Sequence, residues 1–301
     1  MTGRGARLVI GVDFTSAPCP RKPITVAVGR LSAGNRPVYR LDEVLALESL
    51  SAFEAFLRDD RPWIGGFDLP FGQARSLVEH EGWPTDWPAF VEFYCRQPRE
   101  LLQATFRRWC DGRPAGDKFA WRRADRPAGS SPAMRWTNPP VAWMMHAGIG
   151  RMLAAGLVFP AHAHPRRLPR SPARRRIALE AYPAFTARRV VRGSYKSDAA
   201  SGRTPERRAA RRAIVAALAA GRAGLSVRLA ASDVWRRRLA ADCRGDLLDA
   251  VICGLQAAHA ARAERYGLPA ETDPLEGWIA SVPAPAEPAA GAGVASLSVR
   301  P

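Results

Sequence analysis

The sequence lacks several features that would assign it directly to a common class of protein. Its five cysteines are widely scattered, and no pair has the spacing of a zinc site. No apolar run approaches the roughly 20 residues that a membrane-spanning helix needs. The apolar run near the N-terminus is broken by Asp13 and lacks the cleavage site of a secretory signal. We therefore expect a cytoplasmic protein with reduced thiols and no membrane segment.

Histidine and lysine are also scarce. None of the five histidines has the context of a catalytic triad, and His162 and His164 alternate in a Pro-rich loop where we expect them to be solvated. Only three of the 45 basic residues are lysines, an arginine bias that a GC-rich genome produces by itself. The distribution of charge is more informative, because residues 161–240 carry 20 basic and four acidic residues. This concentration suits either a solvated arginine-rich surface or a polyanionic partner such as nucleic acid.

The first third of the chain has the pattern of a mixed sheet. Short apolar, β-branched runs at 6–15, 23–31 and 36–44 predict three strands, and the short links between them predict an antiparallel meander. Helical spacing follows at 49–58, and a further buried strand is predicted within 62–72. These elements together predict an α/β fold.

The remainder of the chain reads mainly as helices. We interpret 73–160 as a helical insertion, 160–173 as a basic loop, and 175–185 as a strand that turns into a short helix. Thr204 is suited to cap a long helix, and an apolar helix is predicted from Asp246 to about Tyr266. We therefore expect one domain over 1–283, followed by a disordered tail at 284–301.

Acidic residues interrupt or follow several of the apolar segments. Asp13 and Asp68 each end a run that should be buried, and Glu180 interrupts a third such run. Asp246 and Asp249 lie three residues apart, and therefore on one face, at the start of an apolar helix. Buried carboxylates are costly unless they are paired or bind metal. Turn formation, a solvated strand edge and helix capping are simpler explanations for the individual residues.

A shared role for these acids would be to bind Mg²⁺ or Mn²⁺. Mg²⁺ is commonly held by a few carboxylates together with substrate phosphates. Two such ions about 3.5–4 Å apart can activate water and stabilise the leaving oxygen in phosphodiester cleavage. The spacing of the acids along the chain does not by itself establish that they meet.

Six short motifs carry a resemblance to a known family. They are GVDFTSA at 11–17, GGFDLPFG at 65–72, LEAYPA at 179–184, SYKSD at 194–198, GDLLDAVICGLQAA at 245–258 and EGWIASVP at 276–283. In this order they resemble the DUF 429 predicted-nuclease family, which belongs to the ribonuclease-H-like superfamily together with the Holliday-junction resolvases. The resemblance extends over residues 7–283, and the middle insertion matches poorly.

The resemblance implies a ribonuclease-H-like sheet, with three antiparallel strands followed by parallel ones and helices on its faces. It implies that Asp13 and Asp68 are the acids of the first and fourth strands. Asp249, alone or together with Asp246, would be the acid of the C-terminal helix. Glu180, Tyr195 and Lys196 match further family motifs without an assigned role, although a lysine is well suited to contact a phosphate.

The leading hypothesis is a metal-dependent nuclease that acts on DNA or RNA. Asp13, Asp68 and Asp249 would bind the metal, with Glu180 or Asp246 assisting, Tyr195 and Lys196 at the substrate, and 161–240 holding the nucleic-acid backbone. One alternative is an ATP-dependent phosphotransferase of the actin-like or sugar-kinase type. The second Gly-rich phosphate loop that it needs is not evident in the sequence. Another alternative is a non-catalytic nucleic-acid-binding module.

Overall fold

The computed structural model describes residues 7–163 and 175–284. Within them, six strands form a single mixed sheet in the order β5-β4-β1-β2-β3-β6. The strands are β1 (Arg7–Asp13), β2 (Ile24–Leu31), β3 (Val38–Leu47), β4 (Ile64–Asp68), β5 (Ile177–Glu180) and β6 (Arg228–Ala230).

The sheet combines an antiparallel half with a parallel half. β1, β2 and β3 form an antiparallel meander, whereas β4 runs parallel to β1 and β5 parallel to β4. β6 is a three-residue strand that pairs in parallel with the start of β3. The predicted mixed α/β sheet, antiparallel first and then parallel, is therefore confirmed.

Helices cover both faces of the sheet. In chain order they are α1 (Leu50–Leu57), α2 (Arg75–His80), α3 (Trp87–Arg96), α4 (Arg99–Asp111), α5 (Asp125–Ala128), α6 (Val141–Ala154), α7 (Pro183–Ala187), α8 (Pro205–Ala219), α9 (Asp233–Ala241) and α10 (Asp246–Ala260). Helices α2 to α6 lie between β4 and β5 in the chain.

Successive side chains of β1 contribute to two different halves of the core. Ile10 and Val12 belong to a cluster built with α1, α2, α3, α4 and α6. Val9 belongs to a second cluster, built mainly with α8, α9 and α10. Because successive side chains of a strand point to opposite faces, this short buried strand supports both clusters.

Local sequence explains where several helices begin. The side chains of Ser49, Thr204 and Ser232 accept hydrogen bonds from backbone N–H groups in the first turns of α1, α8 and α9. The predicted cap at Thr204 is therefore confirmed. Helix α10 ends at Ala260, earlier than predicted, and the chain beyond it reaches positive φ at Arg265 and Tyr266.

Three further predictions concern the loops, the tail and the membrane. His162 is buried, not solvated, and its ring stacks on Trp87 at 4.2 Å between centroids. His164, most of the basic loop and nearly all of the predicted tail lie outside the described residues. No helix within 7–163 and 175–284 has both the length and the apolar character needed to cross a bilayer.

Candidate carboxylate site

Asp13 and Asp68 are neighbours at one edge of the sheet. Each is the last residue of its strand, and the two are register partners in the parallel pairing of β1 with β4. Register partners on adjacent strands point to the same face and are separated by roughly 4.8 Å of strand spacing. The two carboxylates therefore leave the sheet side by side.

Two glycines bring helix α10 directly onto that face. A Cβ atom on Gly11 would lie 2.0 Å from the Ala250 carbonyl oxygen, and one on Gly66 would lie 2.2 Å from the Cys253 carbonyl oxygen. Gly11 and Gly66 precede the two aspartates by two residues, so the aspartates share their face of the sheet. The first turn of α10, which carries Asp246 and Asp249, therefore lies at the same edge.

Asp249 is fully buried and held by two side chains from one loop. The Tyr195 hydroxyl donates to Asp249 Oδ1 at 2.5 Å, and the Lys196 ammonium forms an ion pair with Oδ2. The loop carrying both residues joins α7 to α8. The structure thus places the two residues of the SYKSD motif in contact with the predicted acid of the C-terminal helix.

The electrostatics of the site reflect burial and mutual repulsion. Burial, followed by the charge of Asp249, raises the pKa of Asp13 well above its ordinary value. Burial also raises the pKa of Asp68 to about 7, with Lys196 opposing the shift and Asp249 adding to it. Burial alone would lower the pKa of Lys196, but the charges of Asp249, Asp13 and Asp68 outweigh it and raise that pKa. These three aspartates and one lysine therefore act on one another as a single cluster.

Asp246 lies at the outer edge of this cluster. Its carboxylate is 3.3 Å from the Arg244 Nε atom. Burial and the neighbouring Asp242 raise the pKa of Asp246, while Arg244 opposes the shift. Asp246 also lines the open cleft beside Asp13, so it is placed at the rim.

Glu180 has a different environment. Its carboxylate accepts two hydrogen bonds from the Arg122 guanidinium, at 2.7 and 2.8 Å, and one from the Phe71 N–H at 3.0 Å. Arg122 also contacts Asp125 at 2.8 Å, and all three charged side chains are buried. Burial raises the pKa of Glu180 and Arg122 opposes that shift. The structure therefore places Glu180 beside the cluster, in a buried ion pair of its own.

A cleft of about 550 Å³ opens over Asp13, Asp68 and Asp246. Lys22, Lys196 and Arg244 also line it, and each forms an ion pair with an aspartate, with Asp198, Asp249 and Asp246 respectively. Phe14, Met144 and Tyr182 contribute apolar and aromatic surface, and the turn at 138–140 lies on the rim. A larger groove of about 750 Å³ between α1 and α6 shares no lining residue with it.

The sequence interpretation missed Lys22, Arg244 and Arg122. A usable signal existed for Lys22, since two of the three lysines in the chain, Lys22 and Lys196, line the cleft. Arg244 and Arg122 are two among 42 arginines and carry no such signal. Arg122 precedes α5 in an irregular segment, 58 residues from the carboxylate it binds.

The donor set suits a hard cation only in part. Hydrogen bonds and ion pairs among the described residues leave the carboxylates of Asp13 and Asp68 without a partner, whereas both oxygens of Asp249 are engaged. Within that part of the chain no three His, Cys, Asp or Glu side chains form a group that could hold a metal ion. Asp13 and Asp68 offer the free oxygens that Mg²⁺ or Mn²⁺ prefers. Asp246 accepts no hydrogen bond from any described residue through its buried Oδ2, and its charge is balanced by the Arg244 guanidinium, whose Nε lies 3.3 Å away.

Comparison with known families agrees with the resemblance seen in the motifs. A family described as "Protein of unknown function (DUF429)" matches the chain over residues 11–273. The chain belongs to the DUF429 family. The matched region includes all the aspartates of the cluster together with Tyr195 and Lys196. No curated protein and no solved structure shows significant similarity to this DUF429 member.

Proposed function

We propose that this DUF429 protein is a metal-dependent nuclease that hydrolyses phosphodiester bonds in DNA or RNA. The observation that carries the proposal is the pair of register-matched carboxylates, Asp13 and Asp68, half-buried and without a partner among the described residues, in a cleft that basic side chains also line. Carboxylates next to cationic groups suit a phosphate ester held through a divalent ion.

The arrangement of the sheet supports the finer fold assignment. The order β5-β4-β1-β2-β3, with β1 to β3 antiparallel and β4 and β5 parallel to β1, is the one expected for a ribonuclease-H-like sheet. An acid at the end of β1, another at the end of β4 and a third in the last long helix agree with the same assignment. The added strand β6 extends the sheet beyond β3.

Each group in the cleft has a defined part in this proposal. Asp13 and Asp68 would hold Mg²⁺ or Mn²⁺, which, when bound, polarises a phosphate oxygen and lowers the pKa of a coordinated water. Lys22 and Arg244, which line the same cleft and pair with Asp198 and Asp246, would contact phosphate oxygens of the substrate. Tyr195 fixes the orientation of Asp249, so that the helix acid cannot rotate away from the cluster.

Exposed arginines on the loop that carries Lys196 and on α8 would extend the contact with the nucleic-acid backbone. Arg192 and Arg203 lie in the same loop as Lys196, and Arg208 lies in the first turns of α8. Backbone contacts of this kind carry no sequence preference and weaken as salt is added. Binding should therefore fall steeply between low and physiological ionic strength.

The test is a cleavage assay on end-labelled single-stranded and duplex DNA and RNA, with Mg²⁺, Mn²⁺ or EDTA. We expect ion-dependent cleavage that Asp13→Asn and Asp68→Asn each reduce at least about 100-fold, as expected when metal-ligand chemistry is lost. Asp111→Asn, which changes an exposed acid at the end of α4, is the matched control. Cleavage that Asp13→Asn leaves intact would show that another site or a contaminant is responsible. Binding without cleavage of any substrate would favour a non-catalytic nucleic-acid-binding module.

A further inference from the structure

Lys196 occupies the centre of the acidic cluster. Its ammonium pairs with Asp249 Oδ2 and interacts electrostatically with Asp13 and Asp68 as well. Together with the Tyr195 hydroxyl on Oδ1, it engages both oxygens of the most buried aspartate. A cation is therefore already present where a third carboxylate would otherwise bind metal.

The loop that carries Lys196 is anchored from several directions. The buried Arg211 donates from Nη1 to the Tyr195 carbonyl at 2.7 Å and from Nε to the Ala240 carbonyl at 3.0 Å. The Ser197 N–H donates to the Cys243 carbonyl at 3.1 Å. These contacts hold the loop against α8 and the segment that precedes α10, so Lys196 is more than a freely rotating surface side chain.

The residue before α10, Gly245, lies close to the side chains of Lys196 and Tyr195. Gly245 has φ of +80°, and a Cβ atom there would lie 3.0 Å from Lys196 Cβ and 3.4 Å from Tyr195 Cε2. The positive φ and the tight space both favour glycine. The chain therefore approaches the Lys196 side chain closely at the first turn of the acidic helix.

The three aspartates fall into two groups according to whether a neighbouring positive charge balances them. The Lys196 ammonium compensates Asp249, at the ion-pair contact, with one positive charge. Asp13 and Asp68 remain as two adjacent carboxylates that no described residue pairs with, and one divalent ion balances them. Asp246, the fourth aspartate at this edge, lies 3.3 Å from the Arg244 guanidinium, which balances its charge, and both oxygens of Asp249 are engaged. A second ion would therefore have to displace Arg244 or Lys196.

We propose that Lys196 is a built-in replacement for the second cation of a two-ion site, so that the protein binds one divalent ion, between Asp13 and Asp68. The inference rests on the proposed function, since it assumes that the cluster binds Mg²⁺ or Mn²⁺. It adds the stoichiometry of the site and assigns Lys196 as a positioning residue that holds Asp249. The alternative is that Lys196 moves away from Asp249 when two ions bind.

The test is a Mn²⁺ titration of the full chain without nucleic acid, followed by the electron paramagnetic resonance signal of free Mn²⁺. We expect one Mn²⁺ per chain in the wild type. Lys196→Gln removes the charge and frees one oxygen of Asp249, and should raise the number to two. Lys196→Arg keeps the charge and should retain one ion. Lys118→Gln, a change at the exposed third lysine, should behave as wild type.

The outcomes separate the inference from the proposed function. Two ions in the wild type, or a single ion in folded Lys196→Gln at whatever affinity, would overturn the role of Lys196 without overturning the proposed metal-dependent nuclease. No ion in either protein would overturn both proposals. Near-ultraviolet circular dichroism establishes that each variant is folded. If Lys196→Gln fails to fold, the wild-type number and Lys196→Arg decide: one ion in each supports the inference, and two in either refutes it.

Discussion

Asp13 and Asp68 lie opposite each other as the last residues of two parallel strands, and neither carboxylate has a partner among the described residues. Two like charges held half-buried at this distance reduce the stability of the fold, since the charge of Asp68 disfavours ionisation of Asp13. Residues placed at such a cost are characteristic of functional sites. The relationship leads directly to a test of stability.

Replacing Asp68 by asparagine should stabilise the protein when no divalent ion is present. Asp68→Asn removes one of the two repelling charges and keeps the shape of the side chain. We expect the free energy of unfolding at pH 8 with EDTA to rise by about 1 to 3 kcal/mol. Urea denaturation followed by circular dichroism measures it, and Asp111→Asn should leave the value unchanged.

Adding Mn²⁺ should make the wild-type protein more stable than Asp68→Asn. An ion that binds only the folded state stabilises it by about 2.7 kcal/mol at 100 times its Kd. Wild-type protein should gain this stability and Asp68→Asn should not. A loss of stability in Asp68→Asn without metal would instead show that Asp68 makes a favourable contact in the free protein.

The glycine that brings α10 onto the sheet should tolerate no side chain. Gly11→Ala would place a Cβ atom 2.0 Å from the Ala250 carbonyl oxygen, so the helix would have to move. We expect a loss of about 3 kcal/mol or more in unfolding free energy. Gly193→Ala, at a glycine with no atom within 4 Å of the added Cβ, is the control. Equal stability of the two variants would contradict the close packing of α10 on β1.

Glu180 should matter for folding more than for the chemistry of the cluster. Glu180→Gln leaves Arg122 buried with one carboxylate partner fewer, and breaking a buried ion pair typically costs about 3 to 5 kcal/mol. We expect a loss near the lower value, because Asp125 still contacts Arg122. Mn²⁺ stoichiometry of the folded variant should be unchanged. Glu48→Gln, at an exposed position, is the matched control. Unchanged stability with complete loss of cleavage would identify Glu180 as a catalytic residue.

His162 should make the fold sensitive to acid. Burial lowers the pKa of His162 to about 3, and its Nδ1 lies 2.7 Å from the Pro274 carbonyl oxygen, to which a proton there would be donated. In the unfolded chain the His162 ring is protonated below about pH 6.5, whereas in the folded chain it stays neutral down to about pH 3. The free energy of unfolding therefore falls as the pH falls from about 6.5 towards 3. Between pH 7 and pH 4.5, wild type should lose about 2 to 3 kcal/mol more than His162→Gln. Parallel pH profiles of the two proteins would refute this.

The sheet could be predicted from the sequence because its signals are local. Short β-branched runs with Gly and Pro between them locate β1 to β5, with bounds that differ from the structure by one to a few residues. β6 was missed because its three residues, Arg228–Ala230, carry too short a pattern. α10 was extended too far, since its alanine-rich periodicity continues past Ala260 although the backbone leaves the helix.

The site was predictable only where a residue's own segment made it unusual. Asp13 and Asp68 stand out as acids that end buried strands. The partner of Glu180, by contrast, depends on a contact across 58 residues, and nothing near Arg122 indicates it. The ion pair of Lys196 with Asp249 likewise spans 53 residues and depends on how the loop packs against α10.

The most direct test of the central claim is the anomalous difference map of crystals soaked in MnCl₂. A divalent site held by Asp13 and Asp68 predicts one manganese peak within coordination distance, about 2.0 to 2.3 Å, of a carboxylate oxygen from each residue, with Lys196 still on Asp249. The same peak should be absent from Asp13→Asn crystals. A map with no peak between these two carboxylates, at a Mn²⁺ concentration that supports cleavage in solution, would contradict the account.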